Sequence, residues 1–125
     1  MIKILLVEDN ELSADMLTRR LRKRGYEVHL ATDGQQAIEM AAALLPDLVL
    51  MDINLPLIDG FEAIRQLRAN PSTAALPIVA LTAHALPSER SRALEAGCDD
   101  YDTKPVDLER LLGKITAIVG HSMMR

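Results

Sequence analysis

The chain has little that would staple, span or stack. A single cysteine, Cys98, among 125 residues excludes an internal disulfide and a Cys-rich zinc site. Tryptophan is absent and the only aromatics are Tyr26, Phe61 and Tyr101, which offers no platform for stacking nucleic-acid bases. Basic charge is not in excess. Fourteen Lys plus Arg against 18 Asp plus Glu give −4, and phosphate backbones reward Lys/Arg stripes, so direct nucleic-acid binding is disfavoured. No apolar run approaches the roughly 18 residues of a membrane span. The opening MIKILLVEDN carries one lysine and then acids, unlike a secretory leader. These absences point to a cytoplasmic globular protein with no membrane contact. The 49% apolar content and the length suit one domain that buries about two thirds of its extended surface. That domain is expected over residues 1–120, with 121–125 as a short frayed tail.

What is present alternates. Short apolar runs at Ile4 to Val7, Leu48 to Met51 and Ile78 to Leu81 lack polar interruption, as strands covered on both faces should. Glu27 to Leu30 is a weaker strand, and Asp100 to Thr103 is weaker still; propensity alone would leave it as loop. Between them lie helical patterns. Asn10 to Arg24 has a polar face of Asp15, Thr18, Arg19 and Arg22. Ala37, Ile38, Ala41, Ala42 and Leu45 form an apolar face, as do Phe61, Ile64 and Leu67 with the Arg68 stem at the edge. A shorter helix runs from Pro87 or Ser88 to Ala96, where Gly97 can end it. The cleanest stripe is Leu108, Leu111, Leu112, Ile115, Ile118 and Val119. Asn10, Asp33, Asp59 and Asp107 are N-cap candidates and Gly25 a helix stop. Met16 and Met51 read as core, and Cys98 as a small buried residue. Five β-α repeats imply a doubly wound α/β fold, with a parallel sheet and right-handed crossovers.

The acids fall at strand ends. Glu8 and Asp9 close the first strand, Asp52 the third and Thr82 the fourth, while Lys104 follows the fifth. In such sheets a ligand binds outside the carboxyl ends, where strand order reverses. With the flavodoxin-like order 2-1-3-4-5, that point lies between strands one and three, between Glu8–Asp9 and Asp52. Two carboxylates about 5 Å apart repel by about 3 kcal/mol at an effective dielectric near 20. Three in one pocket raise a pKa or recruit a cation. All-oxygen donors favour Mg²⁺, and Asn54 could add a backbone carbonyl. Lys104 is about 10 Å of backbone from the third strand, a gap its long side chain covers. It can pair there with Asp52 or with a phosphoryl oxygen. An aspartate nucleophile, a divalent cation, a hydroxyl and an ammonium together make a phosphoryl-transfer site.

The segments LLVEDN (5–10), PDLVLMDINLP (46–56), DG (59–60), PIVALTA (77–83) and YDTKP (101–105) together resemble a response-regulator receiver domain of two-component signalling, related to the chemotaxis regulator. The resemblance runs from Lys3 to Val119 and implies specific roles. Asp52 would be the phosphoacceptor, Asp9 a direct Mg²⁺ ligand, Glu8 a ligand through water, and the Asn54 carbonyl a further ligand. Thr82 would bind the phosphoryl group and Lys104 pair with it. Tyr101 occupies the aromatic switch position, whose ring turns inward as Thr82 moves. Pro105 matches a position usually preceded by a cis peptide. His84, two residues after Thr82, either tunes water access or sits exposed in its loop. Asp102 departs from the usual apolar residue of the fifth strand, which questions that strand's regularity. The start and the lack of an effector segment resemble stand-alone receivers of phosphorelays; VEDN and CDDYDTKPV also resemble receivers of hybrid histidine kinases.

The resemblance implies a phosphoacceptor, not an enzyme, with slow intrinsic loss of the phosphoryl group. A histidine kinase or a histidine phosphotransfer protein would donate to Asp52, and a downstream protein target would read the result. Three other readings compete. An aspartate-nucleophile phosphohydrolase shares the pocket chemistry, but the chain carries no substrate cap. A flavin module needs a Ser/Thr/Gly-rich loop where Glu8-Asp9-Asn10-Glu11 stands. A constitutive interaction module would not need the full acid, threonine and lysine set. The basic cluster Arg19, Arg20, Arg22, Lys23 and Arg24 reads as the solvated side of the first helix or as a docking patch.

Overall fold

A computed structural model describes residues 1–83 and 86–123, with side chains up to residue 120. Five strands alternate with five helices: β1 (Lys3–Val7), α1 (Glu11–Lys23), β2 (Glu27–Ala31), α2 (Gly34–Leu44), β3 (Leu48–Asp52), α3 (Gly60–Ala69), β4 (Ile78–Thr82), α4 (Pro87–Ala96), β5 (Asp100–Thr103) and α5 (Leu108–Met123). The sheet is parallel throughout, in the order β2-β1-β3-β4-β5. This is the doubly wound, flavodoxin-like arrangement that the alternation implies. Among the described residues no helix is long and apolar enough to cross a membrane.

The apolar strands show no alternation because both of their faces are buried. Leu5, Val7, Val49, Met51, Ile78 and Ala80 enter one core with residues of α2, α3 and α4. Their neighbours Ile4, Leu6, Leu48, Leu50, Val79 and Leu81 enter a second core with Leu17 and Leu21 of α1 and the α5 stripe. Each fully buried Leu or Ile contributes about 1.5–3 kcal/mol over an exposed one, so these three strands anchor the sheet. Met51 is fully buried, but Met16 is 45% exposed on α1 and belongs to the surface.

Helix ends follow the side chains. Asn10, Asp33 and Asp59 accept from the backbone N–H three residues on, each a standard N-cap bond. Asp107 does the same for Arg110 N–H at 3.1 Å. Gly25 and Gly97 follow α1 and α4 with positive φ, where glycine costs nothing. The helix α5 extends to Met123, three residues into the stretch expected to be tail.

The fifth strand departs from its propensity. Asp100-Tyr101-Asp102-Thr103 pairs residue by residue with Val79–Thr82. Tertiary pairing overrides composition here, because β4 presents an otherwise open edge and α5 supplies cations to the aspartates. Lys114 lies 3.5 Å from Asp100 and Arg110 2.7 Å from Asp102. The strand is regular despite Asp102.

Candidate functional site

The topology brings the acids together. β1 and β3 are neighbours in register, Val7 opposite Met51, so the residues that follow them meet at one sheet edge. There Glu8, Asp9 and Asp52 each offer a carboxylate oxygen within 4.8 Å of the others. Glu8 and Asp52 are buried, and Asp9 is exposed at the mouth. Lys104 reaches back across β4, placing its Nζ 2.6 Å from Glu8 Oε1 and 3.0 Å from Asp52 Oδ2. Only a long side chain bridges two strands, which is why a lysine is needed at this position.

Backbone donors hold the carboxylates. The N–H of Asn54 donates to Asp52 Oδ1 at 3.1 Å, and that of Asn10 to Glu8 Oε2 at 3.2 Å. Asn54 itself is exposed beside the pocket. Thr82 ends β4, 3% exposed, and its hydroxyl donates to Glu89 Oε2 on α4 at 2.9 Å. Tyr101 is partly buried, packed against the α2–α4 core and flanked by Arg90 and Lys114 at 5.2 and 5.5 Å from the ring centroid. The Lys104–Pro105 peptide is cis. His84 lies outside the described residues.

The charges are strained in one direction. Burial, then the nearby Asp52 carboxylate, pushes Glu8 above the ordinary carboxylate value, and the Lys104 ammonium only partly offsets this. Burial works against the Lys104 charge too, but its bonds to Glu8 and Asp52 outweigh that and raise its pKa. Three carboxylates thus face one ammonium. An all-oxygen donor set with surplus negative charge, open at Asp9, suits a hard divalent cation.

Sequence reasoning missed two residues here. Glu89, the acceptor for Thr82, reads in the sequence as an ordinary acid in a helix first turn. Arg110, which holds Asp102 and reaches Thr103 Oγ1 at 3.4 Å, reads as a solvated helix residue. For Arg110 the signal was present: an acid in a strand calls for a nearby cation. The basic cluster on α1 is largely spoken for: Arg19 pairs with Asp15, Arg24 with Glu109, and Arg22 donates to the Val28 carbonyl. Cys98 is buried, and burial, then Asp99 and Asp100, push its thiol up to about 11, far from a reactive thiolate.

A pocket of about 380 Å³ borders the site, lined by Glu8 and Lys104 and by Ser13, Met16 and Arg20 of α1.

Comparison with known proteins gives a consistent picture. The family model described as response regulator receiver domain matches residues 4–116. The response regulator MprA of Mycobacterium leprae is 44% identical over 118 residues, which cover 94% of this chain and 51% of that protein. The chain spans about half the length of the curated relatives it matches. Among solved structures, the receiver domain of sensor histidine kinase PA1611 from Pseudomonas aeruginosa PAO1 is 40% identical. It superposes with a TM-score of 0.89 over 95% of this chain and 98% of that one, and was determined with a magnesium ion coordinated in its active-site cleft. The co-crystal of the Saccharomyces cerevisiae phosphotransfer protein Ypd1 with the receiver domain of Ssk1 contributes a chain 37% identical, with a TM-score of 0.89 over 97% of this chain and 90% of that chain.

Proposed function

The chain belongs to the response regulator receiver domain family, and on that premise we propose that it accepts a phosphoryl group on Asp52 from a phosphohistidine donor in a Mg²⁺-dependent step. The observation that carries the reading is the placement of Asp52. It is a 2%-exposed carboxylate at the end of a central strand, with an ammonium at 3.0 Å and two more carboxylates beside it.

The residues divide the work. Asp52 supplies the attacking carboxylate oxygen. The new O–P bond forms as the donor's N–P bond breaks, and the electron pair of that bond stays on the donor's imidazole. Asn54 N–H and Lys104 Nζ orient the Asp52 carboxylate. Lys104 remains charged at neutral pH and offers its ammonium to the transferred group. Thr82 stands at the adjacent strand end with a hydroxyl donor. Asp9, Asp52 and the Asn54 carbonyl would hold Mg²⁺, with Glu8 acting through water. When bound, the ion offsets the charge between the carboxylates and the incoming phosphoryl oxygens. Tyr101 and the face formed by α4, β5 and α5 carry the change to a downstream protein. The added group shifts an existing equilibrium through its differential contacts.

The donor is a histidine kinase or a histidine phosphotransfer protein, in the cytoplasm, and the chain is a phosphoacceptor with slow self-hydrolysis, not an enzyme. The complex of Ypd1 with a similar receiver supports the second kind of donor. A second reading, a receiver serving a hybrid histidine kinase, is supported by the 40% identity with the PA1611 receiver.

Incubation with phosphoramidate and Mg²⁺ should add one phosphoryl group by intact mass, and Asp52→Asn should accept none. Equal labelling of that variant would overturn the assignment. Rapid multiple turnover of a phosphomonoester would instead mark a phosphohydrolase. Onward transfer to a phosphotransfer protein would favour the hybrid-kinase reading.

A further inference from the structure

Two consecutive residues of the first turn of α4 hold the two side chains that the reading above treats as the switch. Thr82 Oγ1 donates to Glu89 Oε2 at 2.9 Å. Arg90, the next residue, has its guanidinium carbon 5.2 Å from the centroid of the Tyr101 ring. The N-cap of α4 is Leu86, which gives no side-chain hydrogen bond to the helix. The first turn of α4 is therefore tied to the sheet by these two contacts in place of a cap of its own.

A threonine hydroxyl carries one proton and donates to one acceptor at a time. A phosphoryl oxygen on Asp52 and the Glu89 carboxylate cannot both receive it. We infer that Glu89 is a positioning residue that holds the Thr82 hydroxyl for α4 in the unphosphorylated protein, so that phosphoryl acceptance at Asp52 breaks this bond and releases the first turn of α4. The inference rests on the reading of Asp52 as phosphoacceptor and Thr82 as the hydroxyl that binds the transferred phosphoryl group. It adds the competitor. Glu89 sets how readily Thr82 is surrendered, and it connects that event to the helix next to Tyr101. A carboxylate in a helix first turn also gains from the helix dipole, but that gain does not depend on Thr82.

The test is a double-mutant cycle with beryllofluoride as the probe, at saturating Mg²⁺, read by isothermal titration. Removing the competing acceptor in Glu89→Ala should tighten binding roughly three- to tenfold, the range expected for the net worth of one typical intramolecular hydrogen bond. Glu89→Gln keeps a neutral acceptor of the same shape and should tighten it less; it also serves should the alanine variant fail to fold. In a Thr82→Ala background the effect of Glu89→Ala should vanish. Equal affinities for the wild type and both Glu89 variants would overturn the inference, and so would a gain that persists without the Thr82 hydroxyl. A wild-type chain that takes up no probe, like Asp52→Asn, would overturn the phosphoacceptor reading and this inference with it.

Discussion

At the scale of single residues, Asp102 is a buried acid whose partners leave one oxygen unmet. It is 3% exposed in β5, its Oδ1 takes both contacts from Arg110, and its Oδ2 is buried with no hydrogen-bond partner. The Thr103 N–H also donates to Oδ1 at 2.8 Å, but the buried charge is offset only by Arg110, and the second oxygen goes unmet. Arg110 also reaches Thr103 at 3.4 Å and stands 3.9 Å from Asp107, so it spans the loop that carries Lys104. Arg110→Ala should therefore lower the urea midpoint clearly, more than Lys23→Ala on the exposed end of α1. The double variant Asp102→Leu with Arg110→Leu should recover most of that loss, since an apolar pair removes the stranded charge. A double variant no more stable than Arg110→Ala would show that the pair stabilises β5 in its own right.

At the scale of elements, the site depends on how closely α3 approaches β3. A Cβ on Gly60 would stand 2.4 Å from the Asp52 carbonyl oxygen and 2.6 Å from Ile53 Cα, both backbone atoms that cannot step aside alone. The Gly60 N–H also donates to the Ile53 carbonyl at 2.9 Å, locking the helix start onto the strand end. Gly60→Ala should cost about 1–3 kcal/mol in overpacking and slow labelling of Asp52 by phosphoramidate, because the strand end must shift. Gly113→Ala is the counter-case: it lies within α5 with nothing within 4 Å of the added carbon, and should stabilise by about 0.5–1 kcal/mol. Matched denaturation curves of the two variants check both signs. This packing also explains what the sequence revealed and what it hid. The strands β1, β3 and β4 were legible because burial on both faces leaves unbroken apolar runs, and the caps because Asn10, Asp33 and Asp59 have the short side chains such ends require. The convergence of Glu8, Asp9 and Asp52 was legible because strand ends of a parallel sheet share one edge. β5, placed at Asp100–Thr103 by the five-fold alternation, was not legible from propensity alone, since Asp-Tyr-Asp-Thr becomes a strand only through the β4 edge and the cations of α5. Nor was Glu89, whose bond to Thr82 is set by the path of the β4–α4 connection rather than by any local pattern.

At the scale of the whole molecule, the acidic cluster makes stability depend on pH and on cations together. Burial and the Asp52 carboxylate hold the folded Glu8 above its ordinary value of 4.5, so the folded chain keeps this proton more tightly than the unfolded one. Glu8's contribution is present below that ordinary value and is lost as pH rises through the raised folded one. The Lys104 ammonium has its folded pKa raised above 10.5, despite burial, by Glu8 and Asp52; its contribution is constant at neutral pH and fades only when alkali titrates it. At pH 7.5, then, the metal-free domain carries repulsion among three carboxylates that a single ammonium does not cancel. Magnesium ion, binding the folded form alone, should stabilise it by about 2.7 kcal/mol at a hundred times its dissociation constant. That corresponds to a rise in Tm of roughly 10 °C for a domain of this size. Near pH 4, where protons compete for the same oxygens, the rise should shrink to a small fraction. Asp52→Asn removes one of the three charges, so the metal-free variant should melt higher than the wild type at pH 7.5 and gain less from the ion. Calorimetric scans of both proteins, with and without magnesium at the two pH values, measure all four quantities. Equal gains at both pH values, or an undiminished gain in Asp52→Asn, would mean that the ion acts elsewhere on the surface and that Asp9, Glu8 and Asp52 do not form its site.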